Sequence, residues 1–515
     1  MMKGALKYLF LMTALLCTVN SFAQDKKMLK TADDAFDRAD YMKAFNLYSE
    51  ILKKDTGNYE LIFKSGVCLF GMNKTDTTCI PYFIKSAPHV PESHYYLGRA
   101  YQLRGWTKKA LTEFYNFKNV NDEAGIESME VMSLIRNCET ALALESQQES
   151  YIVKNLGPHI NSKYPDYVPL IWKMNGSLIF TSRRENSKGG LKDPYGRFYE
   201  DIYIANQDNE NWLNPVSFSE EVNSNTHDAC VAFSPDGNEL IIYRTDEKQT
   251  GGDLYLSKYD GAKWSTPVIM GPEINSEYLE ASACFSADGD EIVFSSNRPG
   301  GLGGKDLYRI RKFMNGKYSL PFNLGPGVNS PLDEDAPYID KRDNALYFSS
   351  KGHNSMGEYD IFKSQYNTET NRWMKPENLG MPINSTNDDI YFMKLDDKET
   401  AYFTSRRDGG YGDADIYRIN FEESSQLIIY CRIKYVGLEK SELKDLQLSM
   451  YNNENGKMEG IFRPNKNYMT MVLVASLDKP YKLIIESPNT EPTIKNIVFT
   501  KDTKEIDIEV SRKLK

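Results

Sequence analysis

The chain has 515 residues, of which 40% are hydrophobic and 12% aromatic, and a formal net charge of −10. That length predicts about two to four domains rather than one core. The acidic balance excludes the basic footprint of a nucleic-acid binder and the polybasic patch of an anionic-membrane binder. At the N-terminus, Lys3 and Lys7 precede an apolar run from Leu9 to Val19, and Ser21 and Ala23 stand at −3 and −1 of a cut after Ala23. This is the pattern of an export signal, residues 1–23, with an apolar run too short to span a bilayer. Lipid attachment at Cys17 needs a small residue before the cysteine, and Leu16 there disfavours it. No later segment reaches the length of a membrane span. Cys68, Cys79, Cys138, Cys230, Cys284 and Cys431 fit no CxxC pattern and read as small buried hydrophobes. A bridge between Cys68 and Cys79, on neighbouring helices, is the alternative that an oxidising compartment allows.

Residues 25–148 carry a helical period. Ala32, Ala44 and Tyr48 recur as Gly98, Ala110 and Phe114, with the same spacing in both copies. A middle copy keeps Gly66 and Tyr82 but has Thr78 where alanine belongs, and Pro81 predicts a second helix that starts late. The stretch from Ala124 to Leu144 reads as a capping helix. The pattern resembles the tetratricopeptide repeat, whose stacked helix pairs present a concave face to peptides or proteins.

From residue 151 to 421 one phrase returns five times. Its best copy runs Ile274-Asn275-Ser276, Cys284 to Gly289, Ile292 to Ser296, Gly303-Gly304-Lys305-Asp306-Leu307-Tyr308 and Asn323-Leu324-Gly325. The others open at Asn161, Asn223, Asn329 and Asn384. The step is about 55 residues, a period that marks a repeat architecture. Each copy contains four strand-like pieces, the first two joined by a turn such as Asp236-Gly237 or Asp288-Gly289, which predicts a type I′ hairpin. Four antiparallel strands per repeat predict a β-propeller blade. The last copy lacks a fourth strand, and the orphan Tyr151 to Gly157 ends in the same Asn-Leu-Gly. That orphan is expected to complete the last blade, giving five blades, with six as the alternative. After Ser425, residues 425–515 alternate as strands of a small β-sandwich, with a turn at Asn455-Gly456. The fold class is therefore multidomain, α then all-β.

The blade phrases resemble the PD40 (TolB-like, WD40-like) propeller repeat of bacterial envelope proteins. The order of tetratricopeptide stack, propeller and small sandwich resembles Bacteroidetes envelope proteins, some tied to type IX secretion, that usually end in an OmpA-like domain. The sandwich loosely resembles the carboxypeptidase-regulatory type, with Asp478-Lys479 where that family tends to have glycine. No OmpA-like domain follows here, so peptidoglycan binding is not expected. The resemblance implies an exported protein, periplasmic or associated with the outer membrane, whose partners are envelope or secretion-machinery proteins.

Asp201, Asp253, Asp306, Asp360 and Asp415 each open a third strand. Acid–base catalysis needs carboxylates in unlike environments, whereas a residue present once per copy is expected to do one structural job five times. These aspartates are expected to accept hydrogen bonds from their own turns or to pair with Arg184, Arg298 and Arg407, which follow the second strand. Asp246 and Gly352 interrupt that arginine in copies two and four. The Gly-rich loops lack a Walker ending and follow strands rather than opening a helix. No Gly-x-Ser-x-Gly or His-Glu-x-x-His motif accompanies the five histidines. The chain is expected to be no enzyme, with no cofactor and no metal. Copy one carries an insertion, Glu185 to Glu200, whose Lys188, Lys192, Tyr195, Arg197, Phe198 and Tyr199 make a candidate partner-contact loop. The function expected is a protein–protein interaction scaffold of the cell envelope; the alternative is a glycan-binding or glycan-active propeller.

Overall fold

The computed structural model describes residues 25–72, 77–120, 128–145, 151–193, 196–208, 211–246, 251–342, 344–397, 400–421, 426–443, 445–454, 456–465, 469–477, 479–500 and 503–513. The export signal, Cys17, Ala124, Asn455 and Asp478 lie outside them. A helical region precedes an all-β remainder. The helices and residues 153–419 form one compact unit, and residues 420–515 with 150–152 form a second.

Seven helices are described: α1 (25–37), α2 (Tyr41–Leu52), α3 (Tyr59–Met72), α4 (Ile80–Ser86), α5 (Glu92–Leu103), α6 (Thr107–Val120) and α7 (Ser128–Glu145). The glycines of the helical phrase are places of close approach. A Cβ on Gly98 would fall 2.6 Å from the ring of Phe114, and one on Gly66 would fall 2.8 Å from Phe83. Tyr48, Phe83 and Phe114 are fully buried. In the middle copy the core aromatic is thus Phe83, not Tyr82. Pro81 occupies the first turn of α4, delaying the helix and moving its inward face on by one residue. Cys68 is a free, buried cysteine, so no bridge forms there; burial pushes the Cys68 and Cys138 thiols up to about 12.

Residues 152–420 form five four-stranded antiparallel sheets. Sheet one takes Asp166–Trp172, Ser177–Ser182, Asp201–Ala205 and Val216–Ser217; sheet three takes Ala283–Phe285, Glu291–Ser296, Asp306–Arg311 and Phe322–Asn323. Sheets two and four repeat this order from Asp228–Phe233 and Glu334–Asp340. In sheet five, Asp389–Lys394, Thr400–Ser405 and Asp415–Asn420 are followed by Ile152–Asn155. First strands pack against first strands of neighbouring sheets, and Asp389–Lys394 packs against Asp166–Trp172.

The asparagine that opens each copy ties it to the sheet before. Its amide accepts from the N–H and donates to the C=O of one third-strand residue. Asn223 brackets Ile202 at 3.0 and 2.9 Å, Asn275 brackets Leu254 at 2.9 Å twice, and Asn329 brackets Leu307 at 2.8 and 3.1 Å. Asn384 does the same to Ile361, and Asn161 to Ile416 of sheet five, at 2.9 Å in both bonds. The Asp-Gly turns are not type I′. Gly237 and Gly289 have φ of 79° and 78°, but Asp236 and Asp288 stay in the ordinary region. Each is a turn closed by glycine N–H to serine C=O, at 2.9 and 3.0 Å, with the serine hydroxyl donating to the aspartate.

The second unit packs two sheets around a core that includes Ile429, Leu448, Leu473, Tyr481 and Phe499. One orders Thr470–Ser476, Gln426–Val436 and Glu505–Ser511; the other orders Met458–Phe462, Gln447–Asn452, Pro480–Glu486 and Thr493–Val498. The first and last strands run parallel.

Gly98→Ala should cost about 1–3 kcal/mol in chemical denaturation, because the added methyl drives into a buried ring. Gly57→Ala, where nothing lies within 4 Å, should change stability by less than about 0.5 kcal/mol.

Candidate functional site

Five residues that the sequence reading passed over organise the ends of the first strands. Asp166, Asp228, Glu280, Glu334 and Asp389 each stand four residues after a serine. The serine donates both its N–H and its hydroxyl to the carboxylate, at 2.5–3.0 Å in all five copies. These acids, and not the third-strand aspartates, take the arginines. Arg184 reaches Asp166 at 2.7 Å, Arg298 reaches Glu280 at 3.1 Å and Arg407 reaches Asp389 at 2.7 Å. Each guanidinium also lies over two rings of its own sheet, as Arg184 does over Phe180 and Tyr203. Copy two keeps the pair through Arg244, two residues before Asp246, at 2.6 Å from Asp228.

Copy four departs. A Cβ on Gly352 would fall 2.0 Å from Ser330 Oγ, so the close approach excludes any side chain there. His353, at φ 53°, hydrogen-bonds the Val328 carbonyl through Nε2 at 2.8 Å, where Arg298 bonds the Ile274 carbonyl in copy three. With imidazole in place of guanidinium, burial pushes the Glu334 carboxyl up to about 7 against the bonds from Ser330 and Ser350.

Four of the five third-strand aspartates bind their own loops. Asp306 accepts from Leu302 N–H at 2.7 Å, Gly303 N–H at 3.0 Å and the Asn323 amide at 2.7 Å. Asp415 accepts from Tyr411 and Gly412 N–H and from the Asn155 amide at 2.7 Å. Asp360 accepts from Met356 N–H and Asn378, and Asp201 from Lys188 N–H. Burial pushes Asp201 up to about 7 and holds Asp360 well above the carboxylate range. Asp253 is half-buried and is raised by burial and by the charges of Glu280 and Asp246.

A cavity of about 320 Å³ runs between the first strands, lined by residues 167–171, 229–235, 281–287, 336–339 and 391–394. Its walls are mainly apolar, among them Leu170, Phe233, Phe285, Ile339 and Phe392. At the end where first strands turn into second strands stand Lys173, Lys341 and Asp396. Lys341 pairs with Asp396 at 2.7 Å; Lys173 donates to the Pro235 carbonyl and is lowered by burial and by Lys341. Towards the other end lies Glu200, the last residue of the insertion. Against the desolvation of its burial, His227 and Arg183 pull Glu200 down to about 2. Arg183 reaches it at 2.7 Å and also Asp193 at 3.0 Å; Tyr167 donates to the same carboxylate. Asp335, on sheet four, accepts from Lys305 at 2.7 Å and from Ser282. Tyr391, at φ 59°, feels the charge of both Asp335 and Glu200 and stacks on Tyr167.

The insertion is tied both to itself and to neighbouring parts of the fold. Lys188 donates to the Glu220 and Asn223 carbonyls, and Tyr199 is buried with its ring 4.4 Å from His227. Lys192 lies over Phe198, and Arg197 pairs with Asp193. Lys192 and Arg197 are exposed, Phe198 is half-buried, and Tyr195 lies outside the described residues. Facing loops of sheets four and five hold the helices instead. Arg99 pairs with Glu358, Arg104 with Asp408 at 2.6 Å, and Asn137 and Asn387 bond the Gly357 and Leu103 carbonyls. Among the described residues, no three His, Cys, Asp or Glu side chains converge as metal ligands would.

No family model and no curated protein matches the chain. Solved structures match distantly. TolB from Acinetobacter baumannii is 14% identical with a TM-score of 0.28, over 56% of this chain and 57% of that one. Endo-arabinase from Bacteroides thetaiotaomicron is 14% identical at 0.33, over 53% and 97%. Alpha-L-arabinofuranosidase from Lactobacillus brevis is 15% identical at 0.32, over 51% and 91%.

The raised Glu334 gives a signed pH dependence. The folded state holds its proton up to about 7, above the unfolded value, so this contribution is full at low pH and is lost as pH rises from about 4.5 to 7. Glu334→Gln should therefore gain stability relative to the parent between pH 5 and 8, by up to about 3 kcal/mol, in urea titrations at each pH.

Proposed function

We propose that the chain is a non-enzymatic protein–protein interaction scaffold of the bacterial cell envelope. In this reading the five sheets are the blades of a five-bladed propeller that Ile152–Asn155 closes. The helices are a tetratricopeptide-type stack, and the protein is exported to the periplasm or to the outer membrane. One observation carries the reading: nine of the ten acids that recur through the copies, all but Asp253, are bound within the fold. Serine, arginine or loop N–H groups bind them, and the two acids lining the cavity, Glu200 and Asp396, each sit in an ion pair. A carboxyl held near 2 has no proton to donate at neutral pH. The bonds from the helices to Glu358, Asp408, Gly357 and Asn387 further support a continuous docking surface built from both regions. Partners by the sequence resemblance are envelope proteins, including those of type IX secretion.

A glycan-active reading draws on a different observation. Glu200 and Asp335 come from different sheets, lie off the repeat register, and the charge of each acts on Tyr391. The ion pairs with Arg183 and Lys305 weigh against it.

Crosslinking in intact envelopes followed by affinity capture separates the two. Specific envelope proteins should be recovered, fewer of them when Arg99 and Arg104 are both changed to Glu. Recovery of glycans alone, or release of reducing sugar from arabinan or xylan that is abolished in Glu200→Gln, would contradict the scaffold reading.

A further inference from the structure

The second unit has one strand edge unlike its others. Thr470–Ser476 lies at the outside of the three-stranded sheet and bonds Gln426–Val436 on one side only. Its sequence, Thr-Met-Val-Leu-Val-Ala-Ser, contains no charge and no proline. Met471, Leu473 and Ala475 are buried, whereas Val472 and Val474 are 48% and 43% exposed. The opposite edge, Glu505–Ser511, turns Glu505, Asp507 and Glu509 outward, a common block to strand addition.

The register shows which main-chain groups are left. Thr470 faces Arg432, and Ile433 N–H bonds the Met469 carbonyl, so that pair is of the non-hydrogen-bonded kind. Alternation then turns the N–H and C=O of residues 470, 472, 474 and 476 away from the sheet. At the strand ends the chain uses some of these itself: the Thr470 carbonyl accepts from Asn465 N–H at 2.7 Å, and Ser476 N–H donates to Tyr481 Oη at 2.8 Å. The outward groups of Val472 and Val474 remain, disposed symmetrically about Leu473.

We infer that this edge pairs with the same strand of a second copy, antiparallel, across a two-fold axis at Leu473. Val472 then faces the partner's Val474, and each such pair exchanges two main-chain bonds. Met471 faces the partner's Ala475, large against small, and Leu473 meets its own symmetry mate on the core side. The two three-stranded sheets become one of six strands. Val472, Val474 and Tyr430, itself 56% exposed, form an apolar face across the seam. The near-symmetry of the strand about Leu473 selects a second copy over a foreign strand. Copies carrying −10 repel overall, and this seam adds nothing to that repulsion because neither strand carries a charged side chain. A contact built on one strand belongs to the small, reversible class of interfaces.

Sedimentation equilibrium of the full chain should show a concentration-dependent monomer–dimer equilibrium. Val472→Lys combined with Val474→Lys should weaken dimerisation at least tenfold with an unchanged circular-dichroism spectrum. Glu509→Lys, on the opposite edge, should leave dimerisation unchanged. The double variant V472C/V474C should give a disulfide-linked dimer on oxidation, since partners in such a pair lie about 5.5 Å apart at Cα. A parent chain that stays monomeric at every concentration overturns the inference. So does a lysine variant that dimerises as tightly as the parent, or a cysteine variant that yields no covalent dimer. The cysteine variant decides alone if the lysine variant does not fold.

Discussion

The β region depends on one buried amide used five times. An asparagine side chain offers a donor and an acceptor in a plane, as a peptide group does, so it can substitute for a strand neighbour where none is present. At each junction it takes both main-chain groups of one third-strand residue and so fixes where the next first strand begins. Loss of the amide would leave a buried N–H and C=O unmatched, at a cost of about 1–3 kcal/mol per site. The Asn161 bracket joins the start of the β region to Ile416 near its end, so the same bond that spaces consecutive sheets also ties the last to the first.

This bracket sets the positions of everything polar around it. The serine after the asparagine binds the acid four residues on. In four copies that acid receives an arginine that also lies over an aromatic ring, and in four the third-strand aspartate binds its own loop. Repetition therefore consumes the chemistry that looks catalytic in a single copy. What is left for function lies where copies differ. Sheet one has its insertion with Arg183, Glu200 and His227. Sheet four has Gly352, His353, the raised Glu334 and the Lys305–Asp335 pair. Sheets four and five have loops that hold the helices.

Much of this was legible in the sequence. The asparagine, the third-strand aspartate, the four strands per copy and the insertion all recur or break visibly. Asp306 and Asp415 accept hydrogen bonds from their own loops, as their regularity led one to expect. The partner of the arginine did not, for a physical reason: the acid it binds is Asp in three copies and Glu in two, and its spacing from serine stands out only when all five are aligned. In copy two the arginine shifts to Arg244, which hid the pair behind Asp246. Asp-Gly suggested a type I′ turn, but the serine hydroxyl captures the aspartate and leaves only the glycine left-handed. The strand Met458–Phe462 lacks clear alternation and so gave no signal. The pairing of Glu200 with Arg183 and His227 joins residues from two sheets, which no local spacing encodes.

The most direct measurement compares Asn161→Ala with Asn329→Ala by equilibrium denaturation. The two brackets make the same bonds, one between consecutive sheets and one between the last and the first. Equal losses of about 2 kcal/mol are expected. A loss at Asn329 with none at Asn161 would contradict the claim that the five copies are joined in one continuous, structurally equivalent set.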